Sequence, residues 1–209
     1  LSGPTEGAAA PIPMENVYVA DLEVSANAMA NFSIFAPGIA RSRFERLEIS
    51  GATTAGLSIG YGWCNYVEAC RFSGNEIGLH TYNSANNIDV VDSIFEGNTG
   101  VGYYISGGAQ INVEGCVIEG NGGPGIVVMG AIGVQVASNY FEANNGYQGR
   151  EYVYMRPALD NTTAPVIKIT SDIVLNGAPS FHDGNSDYKH WVRPSRAMAN
   201  ASCPSLQHT

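Results

Sequence analysis

The sequence predicts an all-β fold in which the chain coils into stacked rungs, and three observations carry that prediction. One phrase recurs at a fixed interval: CRFSGN at 70–75, SIFEGN at 93–98, CVIEGN at 116–121 and NYFEAN at 139–144, each 23 residues after the last. Around it, apolar residues alternate in short runs such as Ile88-x-Val90 and Val101-x-Tyr103, the period of a strand, and no convincing length of chain shows a helical period. Only 14% of residues are charged, against a usual quarter, while 25 are glycine, which indicates a compact body with many turns.

The interval governs several positions at once. Phe72, Phe95, Ile118 and Phe141 form one series, and Asn75, Asn98, Asn121 and Asn144 a second. Val67, Val90, Val113 and Val136 form a third, and Cys70, Ser93, Cys116 and Asn139 a fourth. A unit of 23 residues holding three short strands and three turns is one rung of a parallel β-helix, stacked on the next at about 4.8 Å. Repetition from head to tail leaves no place for the hairpins of a sandwich. Stacking turns the Phe series into a core column and the Asn series into a side-chain ladder bonding the turn backbone. Two looser units precede, at 16–27 and 43–52, with Val24 and Ile49 standing where the later Phe stands. An irregular turn follows in PVIKITSDIVLNG, 165–177.

The organisation expected is an extended N-terminal segment (1–13), a β-helix of about six to seven rungs (14–176) and an irregular C-terminal cap (177–209). FHDGNSDYKHWVRPSR (181–196) concentrates His182, Asp183, Asp187, His190, Trp191 and Arg193. Its DGNSD resembles the start of a calcium loop, but Tyr188 occupies the position that needs glycine and the closing glutamate is missing. Covering the open end of the stack is the role expected of it. The opening LSGPTEGAAAPIP lacks Met and a basic or apolar leader, and reads as a processed protein or a piece of a longer one.

Net charge of −9 with ten basic residues gives no footprint for nucleic acid, and no apolar run approaches a membrane span. Of the four cysteines, Cys70 and Cys116 stand two rungs apart, about 9.6 Å, beyond the roughly 7 Å Cα separation a disulfide allows. Any bridge must involve Cys64 or Cys203. Asn31, Asn161 and Asn200 head three N-x-S/T sequons, the expected glycosylation acceptors of an extracellular chain.

The phrase V-x-x-[CSN]-x-[FI]-E-x-N, followed by IGLHT, GVGYYIS or GIVVM, resembles the right-handed parallel β-helix repeat of the pectate-lyase-like superfamily over about residues 14–176. The resemblance implies right-handed coiling. It spans a superfamily of polysaccharide lyases, hydrolases and epimerases, phage tailspikes and non-enzymatic adhesins. It further implies that the strand after the Gly-Asn turn belongs to the long sheet whose outer face is the sugar groove of the lyases. Copies of that strand are GLSIG (56–60), IGLHT (77–81), VGYYI (101–105), GIVVM (125–129) and EYVYM (151–155). With Leu57, Ile59, Ile77, Leu79, Val101, Tyr103, Ile126 and Val128 inward, the outward residues are Ser58, Gly60, Gly78, His80, Gly102, Tyr104, Val127 and Met129. His80, Tyr82, Tyr104 and Met129 are the expected glycan- or partner-contact residues.

That face carries no Asp, Glu, Lys or Arg, so it lacks the base of a lyase and the paired acids of a hydrolase. The Asn-Thr-Asp, Asp-Asp, Gly-His-Gly and Arg-x-Lys set of the polygalacturonases and the Asp-Pro-His-Glu of the mannuronan epimerases are also missing from the sequence. RPSR (193–196) is similar to a pectate-lyase segment, but its spacing differs and it reads as surface tail. Glu96, Glu119 and Glu142 occupy one outward column, and like charges so stacked call for water, a cation such as Ca²⁺ or altered protonation. They are the candidate metal ligands, and no other cofactor is implied. Two functions of different class follow. One is a non-catalytic extracellular, surface or virion-associated rod for self-association or glycan contact. The other is a polysaccharide-degrading enzyme, lyase or glycoside hydrolase, with an atypical site.

Overall fold

The computed structural model describes residues 13–144 with their side chains. It also gives the backbone of strands Glu151–Arg156, Val166–Thr170, Ile173–Leu175, Ser180–Asp183 and Trp191–Arg193. Every described element is a strand, and every pairing is parallel. No helix is long and apolar enough to cross a membrane. Each rung supplies one strand to each of three sheets. The first sheet stacks Phe32–Pro37, Ala55–Gly60, Ile77–Tyr82, Val101–Ser106 and Ile126–Met129, then Glu151–Arg156 and Ser180–Asp183. The second runs through Trp63–Glu68, Asn86–Val91, Ala109–Glu114 and Ile132–Ala137. The third is narrow, with three-residue strands at Arg71–Ser73, Ile94–Glu96, Val117–Glu119 and Tyr140–Glu142. Ser180–Asp183 and Trp191–Arg193 extend the first and second sheets, so sheet pairing runs beyond residue 176. The rest of the expected cap, and residues 1–12, lie outside the described residues.

The register follows the sequence repeat. Val24, Ile49, Phe72, Phe95, Ile118 and Phe141 pair in succession along the third sheet, the last five of them buried. Phe72 and Phe95 stack at 4.9 Å with ring planes 6° apart. Full burial of each such ring contributes about 2–3 kcal/mol. In the turn after the third sheet, each buried Asn binds its neighbours above and below. The Asn98 side-chain oxygen accepts from the Asn75 backbone N–H at 3.1 Å, while its Nδ2 donates to Phe72 O at 3.1 Å and to Asn121 Oδ1 at 2.9 Å. Cys70, Ser93, Cys116 and Asn139 form the second ladder, in the two-residue turn between second and third sheets. Cys70 N donates to Ser93 Oγ at 3.1 Å and Cys116 N to Asn139 Oδ1 at 2.9 Å. That turn needs a left-handed residue, and Arg46, Ala69, Asp92, Gly115 and Ser138 fill it in series with φ between 48° and 67°.

The first sheet departs from strict spacing. Leu57 pairs with Leu79, 22 residues on, and Leu79 with Tyr103, 24 residues on. An extra residue in the turn 83–85 restores the interval before the second sheet, where Trp63 pairs with Asn86. One expectation about facing is also corrected. Gly78 and Gly102 point inward: a Cβ on Gly78 would stand 3.1 Å from Phe72 Cβ and Phe95 Cδ1, and one on Gly102 3.2 Å from Asn121 Nδ2. Ile77 and Val101, expected inside, are half-buried. The strand bends as it leaves the Asn turn, and strict alternation begins only at Leu79 and Tyr103.

Candidate functional site

From that bend onward the first sheet alternates cleanly. Leu57, Ile59, Leu79, Thr81, Tyr103, Ile105, Ile126 and Val128 are buried, and the Tyr103 hydroxyl lies 3.1 Å from Thr81 Oγ1. The outward residues fall into two adjacent columns. One reads Phe35, Ser58, His80, Tyr104 and Val127, and the other Pro37, Gly60, Tyr82, Ser106 and Met129. By backbone register the columns continue to Tyr154 and Arg156.

These columns build an aromatic platform. His80 stacks on Tyr104 at 5.0 Å and 11°, and Tyr82 lies beside His80 at 5.3 Å and 33°. Tyr61 meets Tyr82 edge-on at 5.9 Å. The Tyr82 ring covers Gly60, where a Cβ would come within 2.5 Å of three ring atoms, so glycine is required for the ring to lie flat. The Tyr104 hydroxyl contacts Met129 Sδ at 3.5 Å. At the upstream end, Phe32 and Phe35 stack at 4.8 Å, and Phe35 is 55% exposed. Thus His80, Tyr82, Tyr104 and Met129 share one face.

The platform is half-buried and carries no formal charge. Burial pushes the His80 imidazole down to about 4, so it is neutral at physiological pH. Burial pushes the Tyr82 phenol up, and the neighbouring Tyr61 adds to the shift. His80 Nε2 lies 2.8 Å from Ser106 Oγ, and Ser106 Oγ lies 3.5 Å from Thr81 O. From Phe35 to Met129 neither column holds an Asp, Glu, Lys or Arg. Ser106 and the position of Arg156 were missed because the expected strand ended one residue early. Counting two on from Tyr104 and from Tyr154 finds both.

Other predicted sites gather less. Glu96, Glu119 and Glu142 are paired in register on the third sheet. Arg71 donates to Glu96, and the Tyr140 hydroxyl to Glu142 at 2.5 Å. Among the described residues no three His, Cys, Asp or Glu side chains converge on a point that could hold a metal ion. Cys64, Cys70 and Cys116 are free thiols, and burial pushes that of Cys70 up. Asn31 is exposed, its side-chain oxygen accepting from Thr53 Oγ1 at 3.3 Å. Asn161, Asn200, Cys203 and the segment 184–190 lie outside the described residues.

Three solved structures show the same fold. The A-module of mannuronan C-5 epimerase AlgE4 from Azotobacter vinelandii is 16% identical at a TM-score of 0.57, the match covering 81% of this chain and 58% of that one. The A-module of AlgE6 from the same organism is 17% identical at 0.57, with 87% and 59% covered. The periplasmic alginate epimerase AlgG is 15% identical at 0.64, with 86% and 46% covered. The chain therefore spans less than two thirds of each of these proteins. No curated protein matches the sequence. A family model does match, across residues 15–159, most of the chain: the protein belongs to the family described as Right handed beta helix region.

Proposed function

We propose that the outer face of the first sheet is a glycan-contact surface, and that its ligand is a neutral polysaccharide. The observation that carries this reading is the platform itself: the Tyr82 and Tyr104 rings each lie within 5.3 Å of His80 on a parallel sheet. Flat rings with a polar tip offer an apolar plate to the C–H face of a sugar and a hydroxyl to its rim. Charge then selects among glycans. A chain of net charge −9, with no Lys or Arg in either column from Phe35 to Met129, repels a polyuronate and leaves its carboxylates unpaired. The alginate epimerases that share the fold act on a polyanion. This face suits a ligand of a different charge class.

Contact of this kind needs no cut in the glycosidic bond, and the described face carries no carboxylate pair to make one. The reading places the protein outside the cytoplasm, at a cell or virion surface where polysaccharide is met. Self-association fits the strands Tyr18–Ala20, Glu23–Ser25 and Phe32–Pro37, which end their sheets among the described residues. A polysaccharide lyase is the second reading, favoured by one observation: a neutral imidazole stacked on the Tyr104 phenol, with the Tyr82 phenol tilted beside it as a proton donor.

Affinity electrophoresis through gels containing neutral or uronate polysaccharides tests the proposal. Retardation by a neutral glycan is expected, with Tyr82→Ala and Tyr104→Ala each weakening it about 3- to 10-fold, the worth of one ring contact. Retardation only by polyuronates, or tyrosine variants that bind like wild type, would refute it. Release of unsaturated ends from any glycan would establish the lyase instead.

A further inference from the structure

We propose that Ser106 and His80 form a nucleophile–base pair that cleaves ester substituents, such as O-acyl groups, carried by a glycan on the aromatic face. The proposal rests on the glycan reading for its substrate. Its geometry stands apart from that reading. Ser106 Oγ and His80 Nε2 come from adjacent strands and different columns, held 2.8 Å apart by the parallel register. The serine hydroxyl has one proton and two acceptors within reach, Nε2 at 2.8 Å and Thr81 O at 3.5 Å. In the reactive arrangement the proton points to Nε2, the nearer of the two acceptors. That arrangement uses the Nδ1-protonated tautomer of His80, whose Nε2 accepts.

The base is also fixed and ready. Tyr104 stacked at 5.0 Å and Tyr82 at 5.3 Å hold the imidazole in place. Burial keeps the imidazole neutral, so no proton must leave before it can act. Both Ser106 and His80 remain partly open to solvent. Nothing in the packing of the sheet requires this pairing, since neighbouring rungs place Tyr82 and Met129 at the serine position.

The reaction balances with water as the sole co-reactant. Ser106 Oγ attacks the ester carbonyl carbon as its proton passes to His80 Nε2. The bond from that carbon to the sugar oxygen breaks, and the sugar hydroxyl leaves with the proton from Nε2. Water, losing a proton to the same nitrogen, then splits the acyl-serine, releasing the carboxylic acid and restoring both side chains.

The test uses the full chain, with p-nitrophenyl acetate and an alkyl fluorophosphonate as probes. Wild type should release p-nitrophenol and carry a single phosphonyl adduct mapped to Ser106 by mass spectrometry. Ser106→Ala should lose the adduct and the turnover, and His80→Gln should lower turnover at least about 100-fold, the smaller end of what a positioned base supplies. Circular dichroism melts establish that each variant is folded, and loss of turnover in an unfolded Ser106→Ala is replaced by the His80→Gln comparison. No adduct on Ser106 in wild type, or undiminished turnover in His80→Gln, overturns the proposal. Glycan retardation without esterase activity sinks this inference alone. Esterase activity without retardation sinks the glycan reading alone.

Discussion

Replacing Asn98 probes the feature that holds the rungs together. Its Oδ1 accepts from Asn75 N and Asn75 Nδ2, both at 3.1 Å, and its Nδ2 donates to Phe72 O and Asn121 Oδ1. Asn75 Nδ2 keeps Ile49 O and Ser73 O, and Asn121 Oδ1 keeps the Asn98 backbone N–H, when the side chain is cut back. The Asn75 N–H and the Phe72 carbonyl are then the groups that lose this partner in a buried site. At about 1–3 kcal/mol for each, Asn98→Ala should cost about 4 kcal/mol. Asn98→Asp should cost more at neutral pH. It keeps an acceptor for Asn75 but sets a buried carboxylate against the Phe72 and Asn121 oxygens. Protonation at low pH restores one donor, so the gap between the two variants should narrow there. Urea unfolding followed by far-ultraviolet circular dichroism measures both. A loss under about 1 kcal/mol for Asn98→Ala, or an Asp variant as stable as wild type, would show that the ladder is not what couples the rungs.

Four further outcomes are expected. Gly78→Ala should destabilise by about 1–3 kcal/mol in the same unfolding assay, because its Cβ would meet Gly102 O at 2.5 Å and two phenylalanines. Ala69→Gly should raise the melting temperature, since Ala69 holds φ at 51° on the surface and glycine relieves about 1 kcal/mol there. His80 sits at about 4 in the folded chain and near 6.5 unfolded, so the unfolded chain binds the extra proton between those values. Stability should thus fall as pH drops through that window, by up to about 3 kcal/mol, and His80→Gln should remove this part of the slope. Peptide mapping after treatment of native protein with a thiol reagent should find Cys64 modified, with Cys70 and Cys116 protected until unfolding.

Much of the fold was legible because stacking makes sequence distance equal to spatial distance. Phe95, Asn98 and Ser93 repeat at 23, and each repeats at the same place in the third sheet or its turns. The first sheet was read less accurately for a physical reason. Gly78 and Gly102 have no side chain to show which way they face, so alternation carried back through them assigned the wrong side. His80, Tyr82, Tyr104 and Met129 could be grouped from alternation alone, but the stacking of His80 on Tyr104 and its contact with Ser106 could not. Those depend on rotamers and on a 22- and then 24-residue register that a fixed interval does not show. The glutamate column was legible as a column. Its partner Arg71 lies on the preceding rung and two positions earlier in its strand, a diagonal that a search along columns passes over.

The short rung and the long one that follows it have a consequence for what this scaffold tolerates. A residue missing before Leu79 and one added at 83–85 cancel within a single circuit, and the second and third sheets keep their pairing unbroken. Each corner therefore works as a mechanical slack point, absorbing a change in length before it reaches the next wall. Side chains on the aromatic wall can then be shifted along the axis, or a loop inserted beside it, while the other two walls continue to hold the coil. A protein built this way can alter what it touches one rung at a time.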